Sequence, residues 1–186
     1  MAVSADATDE AITKAVQAGD SNAFSVLVTR YEQKIARYAK RFLLGGEDGK
    51  DIVQEVFIKA YINIKSFDAS RRFSPWLYRI AHNEFVNAIK KRSKSPVFSF
   101  DFDTLFPHPV AKETADSEMS RNELKEMLEK SLDQIDVKYR EPLVLYYFEE
   151  LDYGEIAQVL QIPASTVGVR LKRGRDRLKT IVKKYE

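Results

Sequence analysis

The chain of 186 residues contains no cysteine. Disulfides, thiolate metal sites and cysteine nucleophiles are excluded, and the composition fits a reducing compartment. Histidine is nearly absent as well. His82 and His108 are the two present, too few for most histidine-based metal sites, so neither a metal nor a cofactor is expected. An excess of one charge is also missing: 30 basic residues face 28 acidic ones, for a formal net charge of +2. Bulk charge therefore names no partner. Long apolar runs are lacking too. The longest is Leu143–Phe148, against the about 20 residues needed to span a bilayer. The segment Met1–Ile12 is acidic and has neither the basic start nor the apolar centre of a secretory signal. These absences predict a soluble, cytoplasmic protein with no membrane insertion. Apolar residues make up 44% and aromatics 11%, enough for the cores of one or two domains.

The small net charge conceals segregation. Residues 71–94 carry seven basic and one acidic side chain, and residues 163–186 carry eight and two. Between them, residues 95–120 carry one basic and five acidic, and residues 121–162 carry five and ten. Two basic patches about ninety residues apart, separated by acidic material, are the footprint of nucleic-acid binding at two places. The competing reading is that each patch is the solvated face of a helix.

Periodicity predicts helices throughout. Phe24, Leu27, Val28, Tyr31, Ile35, Tyr38 and Phe42 recur in steps of three and four, with Ser21 as the expected cap and Gly45-Gly46 as the stop. A shorter helix is expected around Glu10–Gln17. Another starts near Asp48 and carries a wide apolar stripe of Ile52, Val53, Val56, Phe57, Ala60, Tyr61 and Ile64. Asp51, Gln54, Glu55 and Lys59 fall on its other side. A loop is expected over Phe67–Phe73. Ser74-Pro75 reads as the next helix start, serine capping and proline at the first helical position. The basic run Lys90-Lys91-Arg92 suits that helix's negative C-terminal end.

Residues 95–119 break the pattern. Pro96, Pro107 and Pro109 interrupt them, and Phe98, Phe100, Phe102 and Phe106 follow no helical register. An extended acidic linker is expected, part of it docked, because a purely flexible segment has no use for four phenylalanines. Ser120–Glu123 has the spacing of a capping box, opening a helix with Leu124, Met127, Leu128, Leu132 and Ile135 on its apolar side. A helix over Val137–Glu149 contains Pro142, which is expected to kink it or loosen its first turn. Asp152–Glu155 forms a second capping box before Ile156, Ala157 and Leu160. Gln161-Ile162-Pro163 is a turn. A final helix places Val167, Leu171, Leu178, Ile181 and Val182 on one face and six basic residues from Arg170 to Lys179 on the others.

A short helix, a tight turn and a longer cationic helix make a helix-turn-helix, in which the first helix braces the second and the second lies in the major groove. Arginine there forks onto guanine or phosphate. The alternative is an ordinary helix pair in a bundle. In the earlier basic patch, Trp76, Tyr78, His82, Asn83 and Phe85 interleave with Arg71, Arg72, Arg79 and the run 90–92. Such aromatics stack on unpaired bases while cations hold the backbone, or they are simply core, as expected of Phe85. Asp48, Asp51 and Glu55 share a helix side, but no histidine joins them in register, so a solvated or partner-binding face is favoured over a metal site. His82 and Glu84, two apart, point in different directions. No nucleophile–base pair, phosphate loop or pair of catalytic acids stands out, and no enzyme is expected.

The residues from Asp51-Ile52-Val53-Gln54-Glu55 to Tyr61, followed by Phe73-Ser74-Pro75-Trp76-Leu77-Tyr78-Arg79 to Asn83, resemble the second region of bacterial sigma factors. Tyr153-Gly154-Glu155-Ile156-Ala157 together with Thr166–Arg175 resembles their fourth region. The two motifs, in this order and without first and third regions, are similar to the extracytoplasmic-function class of the sigma-70 family. The resemblance implies an all-α fold of two small helical domains, residues 1–94 and 120–186, joined by the linker 95–119. It implies a factor that binds core RNA polymerase and directs promoter-specific initiation.

The resemblance also implies roles. Asp51, Gln54, Glu55, Phe57 and Lys59 would bind the clamp helices of the polymerase's largest subunit. Phe67, Arg71, Arg72, Trp76, Arg79 and Asn83 would recognise and melt the minus-ten element, the 67–73 loop holding a flipped base. Ser165, Thr166, Gly168, Arg170, Lys172, Arg173 and Arg175 would contact the minus-thirty-five element. The linker would thread towards the RNA exit channel. An anti-sigma factor is an expected partner, and the free protein is expected to be monomeric. Three positions depart from the family pattern: Gly168 stands where lysine or arginine is common, Val169 where serine is, and Gln161 where the turn usually has glycine. The Gln161 turn must accept strain or adopt another geometry. A helix-turn-helix repressor or activator with a helical sensor domain is the competing reading. Such a protein has no need of the acidic and aromatic-basic helices over 48–92, and it normally dimerises.

Overall fold

The structure, a computed structural model, describes residues 6–43, 49–92 and 128–183. Within them it contains α-helices and short 3-10 turns and no strand. The expected linker 95–119 and the capping box at Ser120–Glu123 lie outside the described residues.

Helix α1 spans Asp9–Gln17, with the Thr8 hydroxyl accepting from Ala11 N at 3.2 Å and Asp9 and Glu10 in its first turn. Helix α2 spans Phe24–Leu43. Its entry differs from the expected Ser21 cap: Asp20 accepts from Ala23 N at 3.3 Å and caps a 3-10 turn over Ser21–Ala23 that leads into α2. Helix α3 spans Gly49–Asn63 and continues into a 3-10 turn at Ile64–Ser66.

Helix α4 spans Phe73–Arg92, so it begins before the expected Ser74-Pro75 start. Glu10 Oε1 accepts from Phe73 N at 3.0 Å and satisfies one of the orphan donors of that first turn. The four helices close on a core with fully buried Ile12, Leu27, Ile35, Tyr38, Phe42, Leu77 and Phe85.

In the C-terminal part, the helix expected to run through Ile135 instead ends near Ser131. It gives way to a 3-10 turn at Leu132–Gln134, and Ile135 is extended. Leu128, Leu132 and Ile135 are still buried. Helix α5 spans Val137–Tyr147, capped by Asp136 and carrying Pro142 inside it. Helix α6 spans Tyr153–Leu160 behind the expected capping box: Asp152 Oδ1 accepts from Glu155 N at 2.8 Å, and Glu155 Oε2 from Asp152 N at 2.9 Å. Gln161 ends it in the left-handed region, φ 56° and ψ 42°, which is the strain foreseen at that turn. Helix α7 spans Ala164–Val182 and buries Val167, Leu171 and Leu178.

Helices α5 and α7 pack closely because residue 174 is glycine. A Cβ built there would lie 2.8 Å from Leu143 Cδ1 and 3.3 Å from the carbonyl oxygen of Tyr139. The N- and C-terminal helices also touch, α2 against α5 and α4 against α6.

Candidate polymerase and nucleic-acid interfaces

On α3 the apolar stripe turns inward, with Val53, Val56, Phe57 and Ala60 buried. Asp51, Gln54 and Glu55 are exposed. Of the five residues expected to meet polymerase, Phe57 therefore faces the core. Lys59 pairs with Glu84 of α4 at 2.7 Å and more loosely with Glu55 at 3.8 Å. The hydrogen bond that Lys59 donates to Glu84 holds its ammonium above the ordinary pKa. Tyr61, expected in the inward stripe, instead faces outward: Ile58, Tyr61 and Ile62 are 44%, 45% and 69% exposed. They continue the line of Gln54 and Glu55 along one side of α3, an apolar strip rimmed by carboxylates.

The loop between α3 and α4 is built around rings. Phe67 packs against Phe73 at 5.7 Å and Trp76 at 4.9 Å between centroids, and Tyr31 meets Phe73 edge-on. Phe67 is buried and Trp76 half-buried, so both belong partly to the core. Arg71, Arg72, Arg79 and Asn83 are exposed. Trp76, Arg79 and Asn83 lie on one side of α4, at the three-and-four spacing that aligns residues on a helix. Phe85 is core, as expected. Two residues of α1 hold this loop in place: Glu10, through Phe73 N, and Gln17, whose Nε2 donates to Ile64 O and Phe67 O at 2.8 Å each. No local sequence signal marks either one, because their partners are backbone groups 47 to 63 residues away.

Along α7, Lys172 and Arg173 are exposed, Ser165 and Arg170 half-buried, and Thr166 and Gly168 buried. Arg175 is drawn towards Tyr147 and Tyr153. Burial works against its charge, and hydrogen bonding to Tyr147 and Tyr153 outweighs that and holds the guanidinium above its ordinary pKa. Arg177 lies over the Tyr139 ring at 4.2 Å. The outward cationic face of α7 is thus narrower than its sequence suggests.

The two halves meet through polar side chains. Tyr38 OH donates to Glu141 Oε1 at 2.5 Å, and His82 Nδ1 lies 2.6 Å from the same oxygen. Tyr78 OH donates to Glu149 Oε2 at 2.5 Å, and Arg72 pairs with Glu155. Arg140 Nη2 donates to Phe42 O at 2.9 Å. Arg41 reaches Glu129 at 3.0 Å and stacks on Phe148 at 3.9 Å. Burial pushes the Tyr38 and Tyr78 hydroxyls well above their ordinary pKa and the Glu149 carboxyl up.

Among the described residues, no group of three or more His, Cys, Asp or Glu side chains could hold a metal ion. Among them, no helix is long and apolar enough to cross a membrane.

Comparison with known proteins accords with this geometry. Residues 27–95 match the family Sigma-70 region 2, and residues 125–178 match Sigma-70, region 4. The chain is 37% identical over 174 residues to the ECF RNA polymerase sigma factor SigW of Bacillus subtilis, covering 89% of this chain and 92% of that protein. It is 33% identical over 175 residues to the ECF RNA polymerase sigma-E factor of Escherichia coli, covering 91% of each. Among solved structures it is similar to CnrH in complex with the cytosolic domain of CnrY. That match has a TM-score of 0.71 and 25% identity, covering 96% of this chain and 99% of the other.

Proposed function

This chain belongs to the extracytoplasmic-function class of sigma-70 family sigma factors, and from that membership we propose a division of labour among its helices. As a sigma factor it directs transcription initiation and is a non-catalytic subunit of RNA polymerase. Residues 1–94 form the polymerase-binding and minus-ten domain, 95–119 the linker and 120–186 the minus-thirty-five domain. Asp51, Gln54 and Glu55 dock on basic residues of the polymerase clamp helices, and Ile58, Tyr61 and Ile62 supply the apolar part of that contact. Arg71, Arg72, Arg79 and Asn83 take the non-template strand beside the Phe67–Trp76 ring cluster. Lys172, Arg173 and Arg170 contact the duplex upstream.

The observation that carries this reading is the exposed side of α3, where three large apolar side chains lie in line with carboxylates. A soluble surface of this kind is better explained by a partner than by solvent. The complex of CnrH with CnrY supports an anti-sigma factor as a second partner. The free protein is monomeric and works in the cytoplasm.

The test is transcription by core RNA polymerase with and without this protein on a genomic template, with the 5′ ends of transcripts mapped. A discrete set of new start sites, each with common sequences upstream, is expected. Unaltered start sites, together with a stable dimer in solution, would return the protein to the repressor class.

A further inference from the structure

Helix α7 buries Val167, Leu171, Gly174 and Leu178, a stripe in steps of four, three and four that packs on α5 and α6. At 3.6 residues per turn, the opposite side of a helix lies about two residues on from such a stripe. Ser165, Val169, Lys172, Arg173 and Asp176 occupy that side. The first two are half-buried and the other three exposed.

Val169 is the apolar member of this set. It belongs neither to the hydrophobic core nor to the apolar residues packed against the core. Nor does it favour the helix, because β-branching costs freedom at χ1. A lone apolar side chain on a surface is ordinary in itself, so its position is what carries meaning. The first turns of the second helix in a helix-turn-helix are the ones that meet base edges, and Val169 lies in the second turn of α7. Charge marks out the same stretch. From Pro163 to Arg175 there is no acidic residue. Asp176, the first one, points outward, where a phosphate would repel it.

The major groove offers such a side chain one matching group. Base edges there present donors and acceptors, and the single methyl group among them is the C5 methyl of thymine. Over any other polar edge, Val169 would cover a donor or acceptor and give it no partner.

We propose that Val169 is a specificity-determining residue that reads the C5 methyl of a thymine in the major groove of the upstream promoter duplex, with the exposed cations of Lys172 and Arg173 beside it. This rests on the reading of α7 above as the helix that meets duplex DNA.

Deoxyuridine pairs as thymine does and lacks only that methyl, so the test removes the group itself. Core polymerase carrying the full chain is bound to a promoter duplex in which each thymine of the upstream element is replaced in turn by deoxyuridine. One replacement should weaken binding about fourfold, the worth of one buried methyl group. In Val169→Ala the same replacement should have no effect, and the salt slope of binding should equal that of the wild type, since no cation is lost. Alanine is a better helix former than valine, so the variant keeps its fold, which circular dichroism checks. No deoxyuridine effect at any position, or an undiminished effect in Val169→Ala, would overturn the assignment.

A second measurement separates this inference from the initiation reading. The full chain alone selects from a pool of random duplexes. Thymine enriched at one position by the wild type, and no longer enriched by Val169→Ala, supports the role of Val169 even if no promoter-specific transcript is made, a result that would sink the initiation reading by itself. The same thymine preference in both proteins would overturn the role of Val169 whatever transcription shows.

Discussion

Gln17 grips the loop before α4 with a single nitrogen, its Nε2 donating to the carbonyl oxygens of Ile64 and Phe67 at 2.8 Å each. Phe67 is the residue around which the ring cluster with Phe73 and Trp76 assembles. Gln17 lies outside the 27–95 span of the region 2 family match. The first helix therefore acts as a brace for a surface it does not form.

Replacing Gln17 by Ala should cost about 1–2 kcal/mol in urea denaturation, since two part-buried carbonyls lose their donor. Gln17→Glu should cost more, because a carboxylate would face those carbonyls. Both variants should weaken binding to a single-stranded minus-ten oligonucleotide when bound to core polymerase. Unaltered oligonucleotide affinity in a destabilised Gln17→Ala would leave the residue a purely structural role.

Asp51 and Glu55 are exposed, so reversing both to Lys should change stability by no more than about 0.5 kcal/mol per site. Capture by core polymerase should be lost, because like charges across an interface cost several kcal/mol. A pull-down run beside circular dichroism decides the matter. Normal capture of a folded double variant would remove α3 as the docking surface.

The arginines of α7 should separate by role. Arg173 is exposed, and Arg173→Ala should lower the salt slope of binding to an upstream promoter duplex by about one. Arg175 is held by Tyr147 and Tyr153, so Arg175→Ala should lower the melting temperature and leave that slope nearly unchanged. The reverse pattern would mean that the two have been assigned the wrong way round.

Gly174→Ala gains helix propensity of about 1 kcal/mol, yet its Cβ meets Leu143 at 2.8 Å and the Tyr139 backbone at 3.3 Å. The backbone cannot rotate aside, and overpacking of this kind costs about 1–3 kcal/mol. A net loss of about 1 kcal/mol is expected in chemical denaturation. A stabilised variant would show that α5 and α7 can move apart freely.

Glu149 predicts a pH dependence. Burial raises its pKa above the ordinary 4.5, opposed by the Tyr78 hydroxyl and by the charges of Arg41, Arg37 and Lys34. A carboxyl with a raised folded pKa binds its proton more tightly folded than unfolded. Its contribution to stability is therefore greatest at low pH and declines as pH rises from about 4.5 through the raised value. In Glu149→Gln that decline should vanish from the melting temperature measured between pH 4 and 8, while other carboxylates still impose their own slopes. A wild-type and variant difference that stays constant across this range would remove Glu149 as its source.

The helix-turn-helix was legible in the sequence because its instructions are local. Asp152 and Glu155 cap each other three residues apart, and Gln161 must turn the chain just before Pro163. The polar side of α3 at Asp51, Gln54 and Glu55 was legible for the same reason, whereas the outward turn of Tyr61 was not. What escaped were partnerships between distant residues. Ser21 looked like a cap, and the adjacent Asp20 took the role. Ser74 looked like a helix start, yet the helix begins at Phe73, whose N–H is met by Glu10, 63 residues earlier. Trp76 could have been core or stacking platform by spacing alone, and it is half-buried between Phe67 and Phe73. Nothing local to Glu141, Glu149 and Glu155 foretells Tyr38, Tyr78 and Arg72, and Glu155 was legible only as half of a capping box.

The separation of those partners along the chain also sets a timetable for synthesis. Glu141 follows His82 by 59 residues and Tyr38 by 103. At roughly 5–20 residues per second on the ribosome, the N-terminal helices emerge several seconds before the carboxylate that will cover them. During that interval the nascent domain shows Tyr38, His82, Tyr78 and Arg72 uncovered. The first helices therefore fold on the ribosome before the residues that complete their junction have been made.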